Sequence, residues 1–418
     1  MDLENELRRV LRERPAPDII SDVVPTVHAG MRRRVRRQRL AYLGAATGVL
    51  AIWGGAVLVL QPGPTSSRPA VPTQLVANVP TGFQIRDLTF VSTTRGYGLG
   101  TVPCGAASCT VLLQTDTGSH AWERAPAPLV RSTRPDGSGC PDGLCVSQIR
   151  FATDVHGQEV GYAFGPSYVV FRDGEWRPQL VGHRVEALEA AKAGSVVRVL
   201  ARPGGGHLVQ QSSVGSDTWT TVLDITAPTY NAVLRRQGAR LVLVTYDNNQ
   251  GVGSEPDVSD VRLSTDGGTT WTKGAHNPCD LDSYFTSIAL ARKQQVVALC
   301  SHRAGGSYVR VSEDNGTHFG PPRNLPKGLS ATQVAAPAEG GWLVAADVAQ
   351  ERARVIVASK DQGTTWKRTA TEQSPPGAAG GGYLDNSNAK TVWWVGADPR
   401  YVWRTDDAGA HWTAARFR

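Results

Sequence analysis

The pattern of apolar and polar positions changes character near residue 60. Leu40 to Leu60, LAYLGAATGVLAIWGGAVLVL, is a run of twenty-one residues without a charge. At about 1.5 Å rise per residue, such a run crosses a hydrocarbon core of about 30 Å as one helix. Arg32, Arg33, Arg34, Arg36, Arg37 and Arg39 stand directly before it, and the next charge after it is Arg68. This asymmetry predicts a single-pass protein of the cell membrane, with its N-terminus in the cytoplasm and everything after residue 60 outside. A cleaved signal peptide fits less well: the apolar run and the region before it are too long, and no A-x-A-like site follows Leu60. In the tail, Leu3, Leu7, Val10 and Leu11 recur at helical spacing and stop before Pro15, which predicts a short helix there. The expected divisions are a basic cytoplasmic tail (1–39), a transmembrane helix (40–60), a Pro- and Ser-rich spacer (61–73) and an ectodomain (74–418).

Beyond the spacer the apolar runs are short and joined by Gly or polar turns. LTFVSTTRGYGLG is followed by CTVLLQTD and WERAPAP; TQVAAPAEGGWLVAADV is followed by RVIVASKD and WKRTAT. Each group reads as two short strands, a third strand running into a tight turn, and a fourth leaving it. The turns themselves repeat. STDGGTTW begins at Ser264, SEDNGTHF at Ser312, SKDQGTTW at Ser359 and TDDAGAHW at Thr405, with spacings of 48, 47 and 46 residues. Weaker copies lie upstream: TDTGSHAW from Thr115, RDGEW ending at Trp176 and SSVGSDTW ending at Trp219. From Thr73 to Arg418 are 346 residues, enough for about seven units of the size usual for four-stranded propeller blades.

The repeated [ST]-x-D-x-G-x-x-[WF] is the Asp box, and over residues 73–418 the sequence resembles the Asp-box propellers: bacterial sialidases, sortilin-type receptors and photosystem II assembly factors. FVSTTRGYGLG is also similar to the blade opening of the assembly factors, with one residue fewer before the glycine. The resemblance implies an all-β propeller of seven four-stranded blades, with each box as the hairpin between the third and fourth strands, on the outer edge and far from the channel. The box residues are expected to be structural. Ser264, Asp266, Ser312, Asp314, Ser359, Asp361, Thr405 and Asp407 can bond the turn's own backbone. Gly268, Gly316, Gly363 and Gly409 supply positive φ, and Trp271, Phe319, Trp366 and Trp412 bury rings between blades.

Composition adds location more than chemistry. Forty per cent hydrophobic and 19% charged residues belong to a folded globular chain. Of the net charge of +7, residues 1–40 carry +4, so the excess is a topology signal and nucleic acid is not an expected partner. All six cysteines follow the apolar run: Cys104, Cys109, Cys140, Cys145, Cys279 and Cys300. Their even number on the exported side predicts disulfides, and the blade layout pairs them as 104–109, 140–145 and 279–300. A zinc site is the rival for the two C-x4-C pairs, but neither has a nearby His or the usual C-x2-C knuckle.

No catalytic constellation stands out, and no cofactor is implied. There is no G-x-S-x-G, H-E-x-x-H or Walker loop. A sialidase-like glycoside hydrolase is the alternative the resemblance raises, needing three convergent arginines, a Tyr–Glu pair and an acidic Asp; its Arg-Ile-Pro is missing, FQIRDL standing in the early stretch. Asp247, Glu255, Asp257 and Asp260 could hold calcium, but a solvated loop is the plainer expectation because no ligand spacing repeats. The expected function is therefore non-catalytic: a membrane-anchored binding, sensory or assembly module whose propeller face takes a protein, peptide or glycan.

Overall fold

The computed structural model describes residues 73–75, 79–104, 107–118, 121–128, 146–229, 231–247, 257–275, 277–280, 282–337, 341–373, 383–386 and 390–417. The tail, the apolar segment 40–60, nearly all of the spacer, Cys140, Cys145 and Glu255 lie outside them. Among the described residues no helix is long and apolar enough to cross a membrane.

The ectodomain is all-β, and its described strands form seven sheets that follow one another along the chain. Blade 1 spans 84–125, blade 2 148–178, blade 3 185–225, blade 4 231–273, blade 5 283–324, blade 6 329–373 and blade 7 383–416. Each is an antiparallel meander of four strands in sequence order, as the expected seven-bladed propeller requires. Blade 7 draws all four from its own segment, as its sequence implies. It also gains a fifth: Thr73–Leu75 pairs in parallel with Thr413–Arg416, Thr73 opposite Ala414 and Leu75 opposite Arg416.

The second strand of each blade is the most apolar because it is covered on both faces. Ser195–Ala201 (SVVRVLA), Val296–His302 (VVALCSH) and Trp342–Val348 (WLVAADV) are buried nearly throughout. Fourth strands such as Glu175–Pro178 and Thr272–Lys273 lie at the rim and are short and exposed. Hydrophobic clusters of buried residues fill all seven blade-to-blade seams. The seam between first and last blades joins Phe83, Ile85 and Trp122 to Trp393, Val402 and Phe417, which closes the ring.

Cys104 and Cys109 are joined across the turn between the second and third strands of blade 1. Cys279, just before blade 5, is joined to Cys300 on that blade's second strand. Both bridges were expected from the sequence; the 140–145 pair lies outside the described residues.

Candidate functional site: the channel mouth

The box turns share one set of bonds. In blade 6 the Ser359 hydroxyl donates to Asp361 Oδ1 at 2.9 Å and accepts the Gly363 N–H at 2.6 Å. Asp361 then takes the Thr365 N–H at 2.8 Å and the Thr365 hydroxyl at 2.6 Å. Blade 4 repeats this with Ser264, Asp266, Gly268 and Thr270. In blades 5 and 7 the imidazoles of His318 and His411 replace the second threonine, 2.7 Å and 2.6 Å from Asp314 and Asp407. The Thr365 hydroxyl and N–H hold the Asp361 carboxyl at about 2, well under its ordinary value. At Asp266 and Asp314 burial works upward, but the turn's hydrogen bonds outweigh it and hold both at about 2.

Two features of these turns go beyond the sequence reading. The residue before each box glycine also has positive φ: Gly267 79°, Asn315 59°, Gln362 58° and Ala408 56°. The glycine is also a close-approach point, since a Cβ on Gly268 would stand 2.5 Å from Val197 of blade 3, and one on Gly409 2.4 Å from Leu343 of blade 6. The box rings lie at blade seams, but to different depths. Trp412 is buried, whereas Trp271, Phe319 and Trp366 are half-buried.

The inner strands are Gln84–Phe90, Gln148–Thr153, Val185–Ala190, Asn231–Gln237, Ser283–Leu290, Leu329–Ala335 and Tyr383–Asn386. In blades 1, 3, 5 and 6 the pairing of this strand slips by one residue, between Ile85 and Asp87, Val185 and Ala187, Phe285 and Ser287, and Ala331 and Gln333. Such bulges re-aim side chains. The residues that follow gather a buried polar cluster from four blades.

Arg150 of blade 2 is its hub. Its Nη1 is 3.1 Å from Asp87 Oδ2 of blade 1, and its Nε is 3.2 Å from Glu189 Oε1 of blade 3. Asp87 Oδ2 also accepts the Ile149 N–H at 2.7 Å. Asp385 of blade 7 accepts the Tyr383 hydroxyl at 3.1 Å. Burial opposes the Arg150 cation, yet Glu189 and Asp87 hold it well above its ordinary value. Burial pushes the Asp87 and Glu189 carboxyls up. Tyr383 is pushed far up by burial and then by Asp385.

A cavity of about 730 Å3 opens over this cluster, lined by Phe90, Trp393, Tyr383, Glu189 and Asp385 on its inner side. Its outer side runs to Arg236 and to Asp266 and Gly267 of the blade 4 box. The expectation that the boxes lie far from the channel is corrected here: in blade 4 the preceding strand turn is short, so the box reaches the cavity rim. The Ser195 hydroxyl of blade 3 donates to Gly267 O at 2.6 Å and ties that rim together.

The arrangement does not match a sialidase centre. Of the arginines on inner strands, Arg150 is taken by two carboxylates. Arg236 donates to Ser195 O, Ser195 Oγ and Gly238 O, and Arg235 donates to Leu234 O. The channel tyrosine meets an aspartate, and its raised titration is the opposite of what a nucleophile needs. A Tyr–Glu contact does occur, between Tyr97 and Glu159, but it is a buried tie at the seam of blades 1 and 2, with Arg95 bonded to both. Nor do the acidic residues of blade 4 converge: Asp247 pairs with Asp257 across two strands, and Asp260 binds Arg262 at 2.6 Å. Among the described residues no group of three or more His, Cys, Asp or Glu is placed to hold a metal ion.

Solved structures share this architecture. The BP39L lectin from Burkholderia pseudomallei aligns over 79% of this chain and 98% of its own, at 12% identity and a TM-score of 0.51. A polysaccharide lyase, the PL25 ulvan lyase, aligns over 81% and 94%, at 11% identity and 0.51. YCF48 bound to D1 peptide aligns over 81% and 82%, at 14% identity and 0.39. The likeness is one of fold. No protein-family model and no curated protein matches the chain.

Proposed function

We propose that this chain is a single-pass membrane protein whose tail (1–39) and helix (40–60) anchor an exported Asp-box propeller, and that the propeller is a non-catalytic binding module. The uncharged run from Leu40 to Leu60 behind six arginines supports the anchor. The two disulfides fit an oxidising compartment.

The observation that carries the binding reading is the channel mouth. It is concave, about 730 Å3, and combines an aromatic wall with converging polar groups, as ligand sites do. It lacks the free arginine cluster and activated tyrosine that glycoside hydrolysis of the sialidase kind would need, so that alternative is not favoured. The partner is a protein, peptide or glycan at the cell surface, whether for sensing or for assembly.

Site-specific photocrosslinking of the full chain in intact cells tests this. A crosslinker at Asn386, in the mouth, is expected to give a discrete adduct, while one at exposed Lys367 on the rim strand of blade 6 gives none. Equal labelling from both positions, or none from Asn386, would contradict the assignment.

A further inference from the structure

The channel mouth has unbalanced charge, and the imbalance selects a ligand. Asp87 and Glu189 share one guanidinium, that of Arg150. Asp385 has no ion-pair partner among the described residues; it accepts only the Tyr383 hydroxyl and the Asn386 N–H. Glu189 reaches Arg150 through Oε1, leaving Oε2 towards the cavity it lines. Three carboxylates therefore meet one cation in direct contact.

The other cations nearby do not cancel this. Arg235 acts on Glu189 from beyond ion-pair distance. Arg236 has committed its guanidinium to Ser195 and Gly238. Lys192 and Asp266, both on the exposed rim, offset one another. The negative field is felt by the neighbours, since Asp385, Asp87 and Glu189 each add to the upward push on Tyr383 after burial. Beside the carboxylates stands an aromatic wall. Phe90 stacks on Trp393 at 3.6 Å, Tyr383 adjoins them, and the buried indole N–H of Trp393 has no partner among the described residues.

We propose that the mouth takes a cationic side chain, arginine before lysine, from a peptide segment of a partner protein, with Asp385 and Glu189 as counter-ions and Trp393 and Tyr383 along its stem. A planar guanidinium can fork to one carboxylate while lying against an aromatic face, which a compact ammonium does less well. A neutral glycan would leave Asp385 without a counter-ion, and an acidic peptide would be repelled. The proposal rests on the binding reading given above.

The test uses the full chain in nonionic detergent and four probes. These are a Gly/Ser peptide with one central arginine, the same peptide with citrulline, the same with glutamate, and maltoheptaose. Binding is followed by calorimetry. The arginine peptide is expected to bind, the uncharged citrulline peptide at least about tenfold more weakly, and raised salt to weaken the first more than the second. Asp385→Asn, with unchanged melting, should weaken the arginine peptide by about tenfold and leave the citrulline peptide unaffected. Should Asp385→Asn not fold, Glu189→Gln gives the same readout. Equal binding of arginine and citrulline peptides, or indifference to the carboxylate variants, overturns the cationic assignment. A glutamate peptide or maltoheptaose that binds, and is lost in Asn386→Trp, would overturn it while keeping the mouth as a binding site. Binding of none of the four overturns both.

Discussion

Phe90, the last residue of blade 1's inner strand, stacks on Trp393 of blade 7 with centroids 3.6 Å apart and planes 6° apart. Beside them Phe83 meets Phe417 edge-on at 5.1 Å. These contacts join the two ends of the ectodomain sequence, so the ring is closed chiefly by side-chain packing. The parallel pairing of Thr73–Leu75 on blade 7 adds only three residues of ladder. Trp393→Ala should therefore cost about 3–5 kcal/mol, through the cavity it leaves at this seam. Deleting 73–75 should cost less. Urea unfolding of both variants checks the order; a larger loss from the deletion would mean that the added strand is the main clasp.

The box turns should act as local fasteners. Ser312 is fully buried, and its hydroxyl serves both Asp314 and the Gly316 N–H. Ser312→Ala is expected to cost about 1–2 kcal/mol for the lost pair of bonds. Trp412→Ala should cost more than Trp366→Ala, because Trp412 is buried at the seam of blades 6 and 7 while Trp366 is half-buried. The carboxyls of Asp266, Asp314 and Asp361 are held at about 2 from an ordinary 3.8. Their contribution is present above pH 4 and is lost as pH falls through 2. Melting temperatures measured from pH 5 to pH 2 should drop less for Asp361→Asn than for the unaltered chain.

How far the sequence was legible follows from the distance over which each feature is encoded. The boxes are local: eight consecutive residues set the turn, so Ser359, Asp361, Gly363 and Trp366 stood out at once, and their spacing gave the blade count. The strand Thr73–Leu75 was not legible, since three residues carry no pattern of their own. The channel cluster was not legible either. Asp87, Arg150, Glu189 and Asp385 come from four blades and lie nearly 300 positions apart at the extremes. Each does break an otherwise apolar inner strand, in QIRDLTF, QIRFAT, VEALEA and YLDN. A charge inside a strand with no solvent face is the mark that could have found them. The depth of the box rings also escaped the sequence, because it depends on the neighbouring blade.

The two described disulfides should differ in worth. Cys279–Cys300 spans 21 residues and Cys104–Cys109 spans 5. Loop-closure entropy alone gives about 3 kcal/mol for the first and about 2 kcal/mol for the second. Replacing each pair by serines and comparing unfolding midpoints is expected to show that order. Cys279 and Cys300 are also buried, which adds to the cost of losing them.

Glu372 makes stability fall as pH rises through neutrality. Its carboxyl is buried at the seam of blades 6 and 7 and accepts the Ala397 N–H at 2.6 Å. Burial pushes it up to about 7 from 4.5, against the hydrogen bonds from Ala397 and Asp398. A carboxyl raised on folding binds its proton more tightly in the native state, so its stabilising effect is complete below pH 4.5 and is lost as pH climbs to 7. The full change is up to ~3 kcal/mol. Glu372→Gln should flatten the melting temperature between pH 5 and pH 8 and raise it at pH 8. An unchanged slope would show that Glu372 ionises freely in the fold.

The anchored, exported arrangement is the centre of the account, and protease accessibility tests it most directly. Protease is added to intact protoplasts carrying the full chain, tagged separately at the N-terminus and the C-terminus. The prediction is that the C-terminal tag is lost while a small N-terminal fragment containing residues 1–60 stays protected in the membrane fraction. A C-terminal tag that survives until the protoplasts are lysed, or a full-length chain recovered in the soluble fraction, would contradict it.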